Sequence, residues 1–333
     1  MYFLIGLSLL FAVTLAISLP STALASALWR VLETRATHRG SARRASAIFA
    51  LRTMPVFAAL TFVFGLVLPA YVLFEPAKSD ETIGAKMALV MAVATLGIAI
   101  AAFRIFASSW RTRRLVSEWM QFAKPINIAG VSIPSYKLDH AFPVFAVVGV
   151  LRQRLFVATQ VLDVLDEAEL AAVITHELGH IKALDNLKRV AMRLCGDLLV
   201  FPLGRFLDRS WIDASELAAD EYAVGQHGRA SALNLAAALV KIARMIPARQ
   251  IDALPAGSFA VGERGEGLAD RIGRLLRLAE SRDAIQIQAN TAWPKASSVL
   301  FVLTLLGILA LATDFSVLER VHNVSETVVS ILQ

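Results

Sequence analysis

Long apolar runs near both ends of the chain predict helices that span a membrane. Each run approaches the roughly 20 residues that a helix needs to cross the hydrocarbon core of a bilayer. The predicted spans are Tyr2–Leu19, Pro55–Phe74, Ala85–Phe106 and Ser297–Thr313. Between the third and the fourth span, apolar positions recur with the periods of helices and strands. The pattern therefore predicts a membrane domain over residues 1–109, a folded domain over residues 110–295, and a last span with a short tail over residues 296–333.

The composition agrees with a membrane protein. Of the 333 residues, 56% are apolar and only 18% are charged, and the mean hydropathy is +0.60. An ordinary soluble enzyme is less apolar. Ala23-Leu24-Ala25 resembles a signal-peptidase site after the first run, but no basic residue precedes that run. We therefore expect the first segment to be retained as a span.

Basic residues between the spans predict the orientation of the chain. Six arginines and one acidic residue lie between the first two spans, and three arginines follow the third. Loops rich in Lys and Arg stay in the cytoplasm, so the folded domain is predicted to be cytoplasmic and both termini extracytoplasmic, in a bacterial-type inner (plasma) membrane. The net charge of +6 requires no nucleic-acid partner, because these clusters face anionic lipid of the bilayer.

The segment Asp166–Leu184 has the pattern of one amphipathic helix. Asp166 and Glu169 fit an N-terminal capping box, and apolar residues then recur at helical spacing. The second half of the helix carries His176-Glu177-Leu178-Gly179-His180. Two histidines four residues apart lie on one helix face, so both imidazoles can bind one zinc ion, while Glu177 serves as general base for the attacking water.

A third zinc ligand is predicted in a later helix. Catalytic zinc sites use three protein ligands, and a helical run over residues 210–224 carries Glu216 and Asp220 on one face. Glu216 is the expected third ligand, and Asp220 is expected to accept a hydrogen bond from a ligand histidine. The sequence thus predicts one Zn²⁺ per chain.

Two β-rich segments precede the zinc motif and join near Gly149. Metallopeptidases of this zinc type bind the substrate as an added strand on the edge of a sheet. The candidate edge consists of Val144, Phe145, Ala146, Val147, Val148 and Gly149. A buried core hairpin is the alternative interpretation of the same residues.

The order of these segments resembles the integral-membrane gluzincin peptidases. The resemblance rests on Leu155-Phe-Val-Ala-Thr159, Glu169-Leu-Ala-Ala-Val173 and the two zinc motifs, within about residues 110–280. It implies an α-helical membrane protein of about four transmembrane helices with an α+β, zincin-like cytoplasmic metalloprotease domain. Candidate donors to the transition state are Tyr222, His227 and Arg271.

Two branches of these peptidases compete. Three spans before the zinc domain, and no clear span between His176 and Glu216, favour the BlaR/MecR-type antibiotic-sensor peptidases. The form Glu216-x-x-Ala-Asp220 is shared with the HtpX and CAAX prenyl protease family. That family carries a His-Pro before an Arg-Ile pair, whereas here Gly265-Glu266 precedes Arg271-Ile272.

The expected function is a membrane-embedded zinc-dependent endopeptidase that cleaves proteins at the cytoplasmic face, in signalling, regulated proteolysis or membrane protein quality control. One expected partner is a protein or peptide substrate. A membrane sensor or regulator is expected as well, because the tail Asp314–Gln333 is too short for a sensor domain. The alternative is a signalling or scaffold protein with a zinc site and little proteolytic activity. The intact base, Glu177, argues against this alternative.

Overall fold

The computed structural model describes residues 2–36, 40–75, 85–150, 152–199, 202–246, 265–280 and 295–332. Over these residues the fold is mostly helical, with one small mixed sheet. Within the described residues, three helices are long and apolar enough to cross a membrane, or four when a bent helix pair is counted as one span. The predicted class, a helical membrane protein that also contains a sheet, agrees with this architecture.

The first two spans are parts of longer helices. Helix α1 covers Tyr2–Ala36. Helix α2 covers Ser41–Phe62 and continues through a π-helical turn, Val63–Val67, into α3, Leu68–Phe74. The described part of the basic segment between the predicted spans therefore forms the end of α1 and the start of α2. These helix ends pack on one another rather than lying in solvent, with Trp29 and Ile48 buried together.

The third span also extends beyond the predicted segment. Helix α4, Ala85–Phe122, has 38 residues and is about 57 Å long at 1.5 Å per residue, whereas the hydrocarbon core is about 30 Å thick. Its second half therefore continues from the span into the sheet domain.

Near the end of the chain, two helices meet at 90°. Helix α11, Lys295–Ala312, contains the predicted fourth span, and α12, Phe315–Leu332, follows it directly. The tail expected after the fourth span is thus a second helix that returns to the bundle. Leu318 of α12 is buried against Leu66 and Ala70 of the second span.

The sheet contains four strands in the order β1-β2-β4-β3. Strand β2 runs parallel to β4, and the other two pairs are antiparallel. The strands are β1 Lys124–Ile126, β2 Ser135–Leu138, β3 Phe145–Val148 and β4 Arg154–Ala158. Among the described residues, strand β3, from the segment predicted as an edge, pairs with β4 alone and lies at one border of the sheet.

Six further helices follow the sheet in the part of the chain that the structure describes. They are α5 Thr159–Val164, α6 Glu167–Lys182, α7 Asp185–Leu199, α8 Arg205–His227, α9 Arg229–Met245 and α10 Gly265–Glu280. Their common core joins the sheet to α6, α9 and α10 through the buried side chains Phe145, Phe156, Val157, Val173, Leu235, Leu239 and Leu275.

Helix α8 connects this domain to the second span. The Glu221 carboxylate of α8 accepts hydrogen bonds from the backbone N–H and the hydroxyl of Ser41, at 3.3 and 2.5 Å. Because Ser41 begins α2, Glu221 caps the N-terminus of the membrane helix. Further along α2, Arg52 is buried and its Nε lies 2.7 Å from Asp208 Oδ1 of α8.

Candidate metal centre

Helix α6 holds the first two candidate ligands. The Asp166 side chain accepts a hydrogen bond from the backbone N–H of Glu169 at 2.8 Å, and Glu169 accepts one from the N–H of Asp166 at 3.0 Å. This capping box confirms the predicted start of the helix. His176 and His180 then lie one turn apart on the face that meets α8.

A glycine allows α6 and α8 to approach closely beside the histidines. A Cβ atom at Gly179 would lie 3.2 Å from Cα of Ala219 and 3.2 Å from the Tyr222 ring. Residue 179 lies between the two helix backbones, which leaves little room for a side chain. The close approach brings Glu216 of α8 to both imidazoles.

The three candidate ligand residues have the spacing of a zinc site. The Nε2 atoms of His176 and His180 are 3.2 Å apart. Glu216 Oε2 lies 3.6 Å from Nε2 of His176, and Oε1 lies 3.5 Å from Nε2 of His180. Ligands about 2.1 Å from a tetrahedral zinc ion are about 3.4 Å from one another. The two imidazoles and the carboxylate therefore fit zinc.

A carboxylate lies behind each imidazole. Asp220 Oδ1 is 2.9 Å from Nδ1 of His176, and Asp185 Oδ2 is 2.7 Å from Nδ1 of His180. Such contacts fix the tautomer with the proton on Nδ1 and leave Nε2 as the metal-binding atom. The geometry matches the predicted contact of Asp220. The corresponding contact of Asp185 was not predicted.

Asp185 reaches His180 because the chain reverses directly after α6. Leu184 has φ 57°, a left-handed conformation that is uncommon for a residue with a side chain. The turn allows α7 to begin at Asp185 and directs its carboxylate back towards the metal-ligand face. The only sequence signal for this contact is the position of Asp185, five residues after His180.

Burial and charge shift the pKa values of the acids in the centre. Burial is the largest influence on Glu177 and raises the pKa of its carboxyl, although His180 and His176 oppose the shift. Burial alone would also raise the pKa of Glu216, but His180 and Arg271 hold it below its ordinary value. Glu216 thus stays a carboxylate, whereas Glu177 becomes a stronger base.

At His180, nearby negative charge outweighs the effect of burial on the pKa. Burial by itself would lower the pKa of this imidazole, but the Glu216 carboxylate and the hydrogen bond to Asp185 raise the pKa to about 9. The negative charge around His180 stabilises positive charge at this position. A divalent metal ion bound by the imidazole gains the same stabilisation.

Arg271 of α10 lies within the same cluster. Its Nε and one terminal nitrogen donate to the two carboxylate oxygens of Asp220, at 2.9 and 2.6 Å. The other terminal nitrogen is 3.0 Å from Glu216 Oε2. The side chain is 4% exposed. Arg271, a candidate donor to the transition state, therefore orients two of the acids that form the centre.

The other two candidate donors flank the centre. The Tyr222 hydroxyl accepts a hydrogen bond from Lys182 at 3.3 Å, and Nε2 of His227 lies 3.1 Å from the Thr175 hydroxyl. Thr175 is the residue before His176. Their assignment as donors stays a prediction.

Comparison with known proteins adds one finding. Residues 109–245 match the family model described as Peptidase family M48. This segment, which is less than half of the chain, is similar to peptidase family M48. The match begins within α4, ends with α9, and includes both zinc motifs. It supports the predicted relationship to zinc metallopeptidases and assigns neither of the two branches. No match was found among curated proteins or among solved structures.

Proposed function

We propose that this chain is a membrane-embedded, zinc-dependent endopeptidase of the M48 type that cleaves protein substrates at the cytoplasmic face. The observation that carries the proposal is the cluster of His176, His180 and Glu216, whose ligand atoms are 3.2 to 3.6 Å apart. Glu177, the acid between the histidines, is buried and has a raised pKa.

Each residue of the centre has a proposed role. His176, His180 and Glu216 would hold zinc, and Asp220 and Asp185 orient the two imidazoles. Zinc, when bound, supplies a Lewis acid that polarises the scissile carbonyl and lowers the pKa of the attacking water. Glu177 accepts a proton from that water and transfers it to the leaving amine.

The edge strand β3 offers a position for the substrate. Alternate backbone groups of an edge strand point away from the sheet. The carbonyls of Val147 and Gly149 accept hydrogen bonds from the Asn186 side chain, at 3.1 and 2.9 Å. Asn186 follows Asp185, which contacts His180, so two consecutive residues connect the edge strand to the metal centre.

These contacts suggest how a peptide binds. A substrate strand that pairs with β3 uses the same outward carbonyls that Asn186 occupies, and it then lies beside the helix end that carries His180. Pairing through the backbone selects an extended, unfolded segment rather than a particular sequence. This preference fits regulated proteolysis or the removal of damaged membrane proteins.

The membrane location rests on the apolar helices, and the cytoplasmic side rests on the arginines between them. Contacts of α8 with Ser41 and Arg52 attach the centre to the second span. A membrane sensor or regulator that moves this span acts on the helix that carries Glu216.

Proteolysis by the purified full-length chain tests the proposal. An unfolded protein such as reduced, alkylated casein is incubated with the wild type, with Glu177→Gln and with the matched control Glu167→Gln, whose residue is exposed on the same helix. We expect internal cleavage by the wild type and the control, loss on chelation, and recovery with added zinc.

A signalling or scaffold protein with a zinc site gives a different result. In that case the wild type and Glu177→Gln show the same background cleavage, and chelation changes neither. Mass spectrometry of the products separates endopeptidase from exopeptidase activity, because only the former yields fragments with two internal ends.

A further inference from the structure

A second group of metal-ligating side chains lies at the far end of the second span. Glu75, His322 and Glu326 each direct a ligand atom into one cluster, in which these atoms are within 4.8 Å of one another. The span Ser41–Phe74 has 34 residues, so Glu75 lies about 50 Å from the end that contacts α8, at 1.5 Å per residue. This group is therefore separate from the M48 centre.

Two of the three side chains come from one face of α12. His322 and Glu326 are four residues apart and are therefore neighbours on the helix surface. Glu75 ends α3 and contributes the third side chain from the second span. A group bound by all three would join the last helix of the chain to this span.

The imidazole is held in place by aromatic packing. The His322 ring stacks on Phe74, with ring centroids 5.5 Å apart and an angle of 25° between the planes. Phe74 also packs against Phe315 at the start of α12. One turn before His322, Leu318 is buried against the second span. The ring position is thus fixed by contacts that do not depend on the two carboxylates.

A small cavity adjoins the three side chains. Its apolar wall is formed by Ile5, Leu9 and Tyr71, and Ser325 lies on its polar side. Its volume of about 10 Å³ corresponds to about one water molecule. The three side chains are half-buried, so they are partly shielded from solvent and still accessible to an ion.

We propose that Glu75, His322 and Glu326 form a second site for a divalent transition-metal ion, with zinc the best fit. One imidazole and two carboxylates are a donor set that zinc accepts, and the cavity leaves room for one water as a fourth ligand. Ligand atoms of tetrahedral zinc are about 3.4 Å apart, so the separations between the three ligand atoms shorten by at most about 1.4 Å when the ion binds. The bound ion fastens α12 to the second span.

Metal analysis of the purified full-length chain tests this site. Each protein is equilibrated with excess zinc, freed of unbound ion, and analysed for zinc per chain. We expect two ions in the wild type and one in His322→Ala, Glu75→Gln and Glu326→Gln. Glu319→Gln is the matched control, because Glu319 lies on the exposed side of the same helix, and it keeps two.

Two measurements make the result independent of the peptidase centre and of folding defects. In a His176→Ala, His180→Ala chain, added zinc still raises the melting temperature, and Glu326→Gln in that chain abolishes the rise. Glu326→Gln preserves side-chain volume, so its fold is checked by an unchanged melting temperature without zinc.

The alternative is that the three side chains bind no ion. In that case the wild type and all three cluster variants carry the same amount of zinc, and zinc leaves the melting temperature of the His176→Ala, His180→Ala chain unchanged. Either result overturns the proposal without affecting the proposed peptidase function.

Discussion

Replacing Asp185 by Asn separates the charge of this residue from its shape. In the structure, Asp185 is 3% exposed and lies 2.7 Å from Nδ1 of His180. The amide oxygen of Asn can still accept the hydrogen bond, so the imidazole keeps its orientation. Only the charge that strengthens this bond is removed.

The expected loss follows from the kind of hydrogen bond. A bond to a charged group contributes about 1.5–3 kcal/mol and a neutral bond about 0.5–1.5 kcal/mol. The difference of about 1–2 kcal/mol corresponds to about 5- to 30-fold at about 1.4 kcal/mol per factor of ten. Asp185→Asn should therefore lower zinc affinity at the peptidase centre by about this factor.

Asp185→Asn also removes the carboxylate beside Lys188, and a second substitution at Lys188 controls for this effect. Its Nζ is 3.6 Å from Asp185 Oδ1, and burial lowers the pKa of Lys188 while Asp185 opposes that shift. Without Asp185 the folded state binds fewer protons than the unfolded state, so stability falls as pH falls. The penalty disappears as pH approaches about 10.4, the ordinary pKa of lysine.

The assay compares Asp185→Asn, the double variant Asp185→Asn/Lys188→Met, and the control Glu167→Gln. Zinc affinity is read from the free zinc concentration, set by a metal buffer, at which cleavage is half-maximal. We expect the double variant to recover thermal stability and to keep the weakened affinity. Equal affinity in Asp185→Asn and the control would refute the role of Asp185, as would full recovery of affinity in the double variant.

Three further outcomes are expected. Gly204→Ala places a methyl group against the buried Arg52 guanidinium and should cost about 1–3 kcal/mol of folding stability, seen as a lower melting temperature. Asn186→Ala frees the outward carbonyls of β3 and should lower the KM for an unfolded substrate while zinc content stays constant. In a chain without its native cysteine, a cysteine at Ser79 should react with an impermeant thiol reagent in intact cells, whereas one at Arg39 should not.

Each of these has a contrary result. An unchanged melting temperature for Gly204→Ala would show that the Arg52 contact is easily rearranged. A higher KM for Asn186→Ala would mean that this side chain supports the edge strand instead of competing with the substrate. Labelling in the reverse order would overturn the orientation inferred from the arginines.

The sequence predicted the spans because apolar runs are local, but it did not predict where the helices end. Helix α2 begins at Ser41, well before the apolar run, because Glu221 caps its first turn and Asp208 pairs with Arg52. Both partners are more than 150 residues away in the chain. Helix α12 was missed because its apolar residues pack against distant parts of the chain, including the second span.

The metal centre was likewise predictable from the sequence only in part. His176 and His180 could be paired from their spacing, since four residues on a helix make one face. Asp185 could not be assigned, because its contact depends on the left-handed turn at Leu184. Arg271 reaches Asp220 from 51 residues further along the chain, a distance over which no periodic pattern applies.

Zinc content and cleavage, measured on the same preparations of Glu177→Gln and Glu216→Ala, test the central claim most directly. Glu177→Gln should keep the full zinc content and lose nearly all cleavage, because Glu177 is a base and not a ligand. Glu216→Ala should lose one zinc ion per chain together with its activity, and Asp220→Ala should fall only about 10- to 100-fold in affinity or activity. If Glu216→Ala holds zinc at the wild-type level and still cleaves, or Glu177→Gln remains active, the assignment of the centre is contradicted.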